Sequence, residues 1–212
     1  MNGTFSQRHG ISPVVVVALL VAALASAVVW WLHAPRFFVF SQASYGGFWG
    51  RAEIMFLHVV GGTLPLFIGP FLVWSGLRRW QPRVHRLLGR TYLIAGALSV
   101  GAGAILSVMA TLQPRGLYVA TFVLALAWFL AAGMAYRAIR NRSVKQHQQW
   151  VIRSYVLTLT FVACRLIMRL PEVQALGPEA IVATVWASWV VPLLLTEVML
   201  QWRAGKASPA GA

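Results

Sequence analysis

Residues Ile11–His33 read ISPVVVVALLVAALASAVVWWLH and contain no Asp, Glu, Lys or Arg. A spanning α-helix needs about 20 apolar residues, since each adds about 1.5 Å of rise against a hydrocarbon core of about 30 Å. This stretch therefore predicts a helix that crosses a bilayer. Arg8 in front of it and Ala25-Ser26-Ala27 inside it resemble a signal peptide with its cleavage site. The apolar run nevertheless continues through Val28, Val29, Trp30, Trp31 and Leu32, which is too long for a signal core and suits a span with an interfacial tryptophan pair.

Working outward, five more stretches meet the same test, at about 53–75, 90–112, 117–136, 150–170 and 179–201. Together they predict an all-α fold, a polytopic transmembrane bundle of about six helices. It forms one domain over 11–201, between tails of residues 1–10 and 202–212. Composition agrees: 59% of the chain is hydrophobic, only 10% is charged, and mean hydropathy is +0.71. No stretch is polar enough to clothe a soluble domain. The net charge of +14 comes from short basic runs between apolar segments, not from a stripe on a folded surface. That argues against nucleic-acid binding and for loops held at anionic lipid. Cys164 is the only cysteine, so no intrachain disulfide and no cysteine-based metal site can form.

The same basic runs orient the chain. Arg78, Arg79, Arg83, Arg86 and Arg90 surround the second loop, and Arg137, Arg140, Arg142 and Lys145 the fourth, which places both loops in the cytoplasm. The N-terminus with Arg8 and the tail with Arg203 and Lys206 then also lie inside. The outer loops are poorer in basic residues, holding Arg36 and Arg51, then Arg115, then Arg169 balanced by Glu172. Within the second segment, Gly61-Gly62, Pro65 and Gly69-Pro70 predict a kink, because proline cannot donate its backbone hydrogen bond. In the third, Ala95, Ser99 and Gly103 recur every four residues and predict close approach of a neighbouring helix.

Polar residues inside such a chain carry the functional signal. His85-RLLGRT-Tyr92 opens the third segment and His147-QQWVIRS-Tyr155 the fifth, an echo of His, Arg, hydroxyl and Tyr that suggests two related hairpins. His85 and His147 fall at similar depth, the arrangement of a bis-histidine haem b or metal site. Arg86, Arg90 and Arg153 are placed to meet propionates or another anionic head group, or simply to snorkel to lipid phosphates. His58 lies about a turn and a half inside the second segment from Glu53, at the depth of Arg165, with Arg169 one turn outward. Glu53, His58, Arg165 and Arg169 are therefore candidates for an outer polar cluster, with a salt bridge to Glu53 as the plainer reading. Glu197 matches Arg153 in depth and is expected to pair with it. His33 and His9 read as interfacial background. There is no Walker loop, GxSxG elbow, HExxH motif or paired carboxylate, which removes hydrolases and ATPases.

Phe56-Leu-His58-Val-Val-Gly-Gly62 through Gly69-Pro70-Phe71, Val84-His85-Arg86-Leu-Leu-Gly89-Arg90-Thr-Tyr92, and His147 through Arg165 resemble the bacterial membrane proteins grouped as domain of unknown function family 2306. The resemblance runs from about Phe56 to Arg165. It implies a multi-pass protein of the bacterial cytoplasmic (inner) membrane and brings no activity with it. Gln148 and Gln149 stand where basic residues are usual. Three functional readings stay open: a haem-binding or otherwise redox-linked protein on His85 and His147, with His58 toward the other side; a transporter or lipid-binding protein lined by His58, Arg165 and the second helix; and a structural or assembly subunit.

Overall fold

The computed structural model describes residues 12–78, 80–109, 114 and 116–207, with 203–207 as backbone alone. Several expectations lie outside these residues: those on Arg8, His9, Arg79, the end of the third segment at Leu112, Arg115, and the side chains of Arg203 and Lys206. Among the described residues every regular element is helical. Six helical stretches are long and apolar enough to cross a membrane: Pro13–His33, Gln42–Arg78, Pro82–Val108, Gly116–Arg140, Val144–Ile167 and Ala180–Trp202.

In chain order the helices are α1 (Pro13–His33), α2 (Gln42–Tyr45), α3 (Ala52–Arg78), α4 (Pro82–Val108), α5 (Gly116–Arg140), α6 (Val144–Thr158), α7 (Thr160–Ile167), α8 (Pro171–Gln174) and α9 (Ala180–Ala207). The third span begins eight residues before the expected Arg90, because Pro82 occupies the first helical position, where its missing N–H costs nothing. The fifth begins at Val144 instead of 150. In both, hydropathy marks where the side chains become apolar, whereas the backbone turns helical earlier, through a polar first turn that carries His85 or His147.

Pro65 and Pro70, where the kink is expected, lie inside α3, which runs as one helix from Ala52 to Arg78. The break comes in the fifth span, where Leu159 separates α6 from α7. There Ser154, Thr158 and Thr160 turn their hydroxyls back onto the carbonyls of Val151, Ser154 and Leu157 at 3.0, 2.9 and 2.6 Å. Such back-bonding competes with the helical ladder and bends helices.

The bundle is built from two hairpins, α3–α4 and α5–α6, with α1 laid against α3 and α7, and α9 against α5, α6 and α7. Its centre holds Leu72, Tyr92, Trp128, Tyr155, Leu157 and Trp189. The ridge of Ala95, Ser99 and Gly103 does face a neighbour: Gly61 of α3 sits against Ala95 and Ser99, and Gly103 against His58. Between α1 and α3 the chain folds into 3₁₀ turns at Pro35–Phe38 and Gly46–Arg51 around α2, tied by Tyr45 Oη donating to Phe37 O at 2.6 Å. The junctions of α3 with α4 and of α5 with α6 lie at one end of the bundle, called the basic end below.

Candidate functional site

His85 and His147 are each the fourth residue of a helix, α4 and α6 respectively. From that position each imidazole reaches back across its own hairpin. His85 Nδ1 lies 2.9 Å from Ser75 Oγ on α3, and His147 Nδ1 donates to Ala135 O on α5 at 2.8 Å. The two hairpins therefore share an anchor, ten and twelve residues back along the chain, which gives the sequence echo a physical counterpart. Ser75 Oγ also contacts Leu72 O at 3.3 Å. With the hydroxyl proton on that carbonyl, His85 Nδ1 is the donor to Ser75.

This bonding sets the chemistry. An imidazole that spends its Nδ1–H on a fixed oxygen presents Nε2 as a lone pair, as metal-ligating histidines commonly do. The two rings meet edge-on, with centroids 6.3 Å apart and planes at 77°. With a metal–nitrogen bond of about 2.0–2.1 Å and about 1.1 Å from nitrogen to ring centre, this spacing would let both imidazoles reach one metal once their Nε2 atoms turned toward it. Beside the pair is a cavity of about 20 Å³, lined by Leu72, Gly76, Gln148 and Val151 among others. Gln148 Nε2 donates to Gly76 O at 3.3 Å, closing α6 onto α3. Gly76 packs closely on the ring, since a Cβ there would come 3.3 Å from His85 Cε1.

The cavity admits an ion or a water. It does not admit a porphyrin, since sites for ligands of that size run to about 300 Å³ or more. Among the described residues no group of three or more His, Cys, Asp or Glu surrounds a common point, so the pair would supply two protein ligands and no third. Arg90 is exposed. Arg153 is committed elsewhere: its Nε and one terminal nitrogen donate to Glu197 Oε2 at 3.0 and 2.5 Å, while its guanidinium lies 4.6 Å from the Trp150 ring. The structure thus joins Arg153 with Glu197. The Arg153 side chain is 13% exposed and Glu197 41%, so water screens the acid and the pair is worth less than a buried one. Glu197→Gln is expected to lower stability by about 1 kcal/mol, read as a shift in denaturant midpoint; a shift equal to that of a lipid-facing control such as Val198→Ala would show that the pair contributes nothing.

At the other end, His58 and Ser99 lock α3 to α4. His58 Nδ1 donates to Ser99 O at 2.9 Å, and Ser99 Oγ donates to His58 O at 2.7 Å. Glu53 lies exposed on the first turn of α3 and makes no ion pair with Arg165 or Arg169 among the described residues. The four-residue outer cluster expected from depth is therefore not assembled around Glu53. Arg165 lies within electrostatic range of His58, as its depth leads one to expect, and also of His33, the end residue of α1, which in sequence is an isolated interfacial histidine. The signal that finds it is spatial: α1 packs against α7.

Fold and site define a multi-pass helical membrane protein with two histidines paired at one end. The chain belongs to the family described as predicted membrane protein (DUF2306), whose model matches residues 55–200 and so takes in both hairpins and most of α9. No curated protein and no solved structure matches the chain.

Proposed function

We propose that the protein is a redox-linked membrane protein built on one bis-imidazole metal centre, which His85 and His147 would hold. The observation that supports it is the ring separation of 6.3 Å between two imidazoles whose Nδ1 positions are already engaged. Two sources share this chemistry, haem b iron and a bare soft cation such as Cu(I), for which two trans nitrogens suffice. The small cavity fits the bare ion as the chain stands, and haem b enters only if α3 and α6 part beside Gly76 and Gln148. In this reading the basic end faces the cytoplasm of a bacterial inner membrane, with both termini on that side and the arginine-rich loops on anionic lipid.

The test is a reduced-minus-oxidised visible spectrum together with copper and iron analysis of the detergent-purified protein, expressed with haem supply. It is repeated for His85→Ala and His147→Ala. Sharp b-type bands lost in both variants assign haem. Near-stoichiometric copper without bands, also lost in both, assigns the bare ion. Neither bands nor metal above about a tenth of an equivalent overturns the proposal, as does a metal content unchanged in either variant.

A further inference from the structure

Val29 of α1 and Val162 of α7 are buried together against Leu66. Both helices run from the basic end toward the opposite one. Continuing outward from this contact, one turn brings His33 level with Arg165, and Arg36 and Arg169 follow just beyond the ends of α1 and α7. The side chains are held in place by aromatic neighbours: Arg36 lies 4.6 Å from the Phe37 ring centre, and Arg165 lies 5.4 Å from that of Phe161. Arg36, Arg165 and Arg169 are all within electrostatic range of His33, and Arg165 is within range of Arg36.

Guanidiniums that share the surroundings of one histidine repel one another, and at a membrane surface an acid would ordinarily join them. None does. Among the described residues none of the three arginines makes an ion pair, and Glu172, three residues beyond Arg169, leaves it unpaired. At the same spot His33 Nε2 is buried without a hydrogen-bond partner. A buried polar nitrogen without a partner is costly, so a missing partner is the natural explanation. Arginine is also the side chain best shaped for oxyanions, because its planar fork donates two parallel hydrogen bonds.

We propose that His33, Arg36, Arg165 and Arg169 form a binding site for a phosphate-type oxyanion, at the end of the bundle opposite the His85–His147 pair. His33 closes the first span, so the site lies at the depth of lipid head groups. The oxyanion is then either the phosphate of an anionic phospholipid or a soluble phosphate that approaches the same arginines from water. The site stands independently of the metal centre, since it shares no residue with it.

The experiment uses the full chain, purified in a non-ionic detergent and stripped of lipid, with two probes. Native mass spectrometry counts phosphatidylglycerol retained per chain, against phosphatidylcholine as the net-neutral control; thermal shift follows inorganic phosphate against chloride at equal ionic strength. We expect one phosphatidylglycerol per chain, weakened about tenfold or more in the double variant Arg165→Gln/Arg169→Gln, because each lost guanidinium removes a charge-assisted bond. Arg165→Lys/Arg169→Lys should retain most of the binding and guards against loss of fold in the Gln variant. Phosphate that stabilises the protein and displaces the lipid marks a soluble ligand; lipid binding indifferent to phosphate marks a head-group site. Binding equal for both lipids together with no response to phosphate overturns the proposal, as does lipid affinity unchanged in the Gln variant.

Discussion

Gly61→Ala is expected to destabilise the bundle by about 3 kcal/mol, although alanine is the better helix former by about 1 kcal/mol. A Cβ on Gly61 would stand 2.9 Å from Ala95 O and 3.1 Å from Ser99 N, and both are backbone atoms of α4. No rotamer change relieves such a clash, so the helices must separate. Separation then stretches the two bonds that join them, His58 Nδ1 to Ser99 O and Ser99 Oγ to His58 O, and these lie less than one turn away. The cost is overpacking plus weakened polar contacts in a medium that offers no water to replace them. Gly133→Ala is the matched control. It lies in α5 with nothing within 4 Å of its would-be Cβ, so the same change there is expected to be neutral or stabilising by up to about 1 kcal/mol. Reversible unfolding in mixed micelles compares the two; equal midpoints would mean that α3 and α4 do not meet at this register.

The same contact shows what a sequence can and cannot convey. Ala95, Ser99 and Gly103 are legible as a packing ridge because spacing by four places them on one helical face. Their partner is not, since Gly61-Gly62 followed by Pro65 reads as a kink and not as a contact surface. In fact the glycines permit close approach, and the prolines sit in an unbroken helix. The six spans are legible because apolar length has a physical yardstick in the bilayer. Their ends are less so, and His85 and His147 fall in the polar first turns that hydropathy misses.

Depth, which counting along a helix supplies, fixes only one coordinate of a side chain. It suffices for Arg153 and Glu197, which the structure joins. It fails for Glu53 and Arg165, level in depth but on faces that do not meet. Rotation about each helix axis, and the choice of non-sequential neighbours such as α1 and α7, arise from packing alone. For that reason His33 carries no signal until the helices are assembled. Hydrogen bonds to backbone are equally hidden: nothing in the letters of the sequence announces that Ala135 O will hold His147.

Thr158→Val is expected to cost about 2 kcal/mol with almost no change in volume. Thr158 Oγ1 gives its proton to Ser154 O at 2.9 Å, so its lone pairs receive Trp128 Nε1–H at 3.0 Å and Tyr92 Oη–H at 2.9 Å. One hydroxyl thus serves α4, α5 and α6 together. Tyr92 and Trp128 are 4% and 3% exposed, and their rings stack at 6.1 Å, so neither donor can turn toward solvent. Valine keeps the shape and removes the acceptor. Tyr92 retains Ser154 Oγ at 3.2 Å, whereas the indole N–H of Trp128 loses its 3.0 Å acceptor and keeps only the neighbouring Tyr92 hydroxyl, and that loss carries most of the penalty. The figure stays near 2 kcal/mol because a chain unfolded within the membrane also finds partners for its polar groups. A double-mutant cycle isolates the bond: Trp128→Phe removes the donor, so Thr158→Val should cost about 1 kcal/mol less in that background than alone. Strict additivity would mean that the Trp128–Thr158 bond contributes nothing, and would place the role of Thr158 in shaping the turn at Leu159 instead.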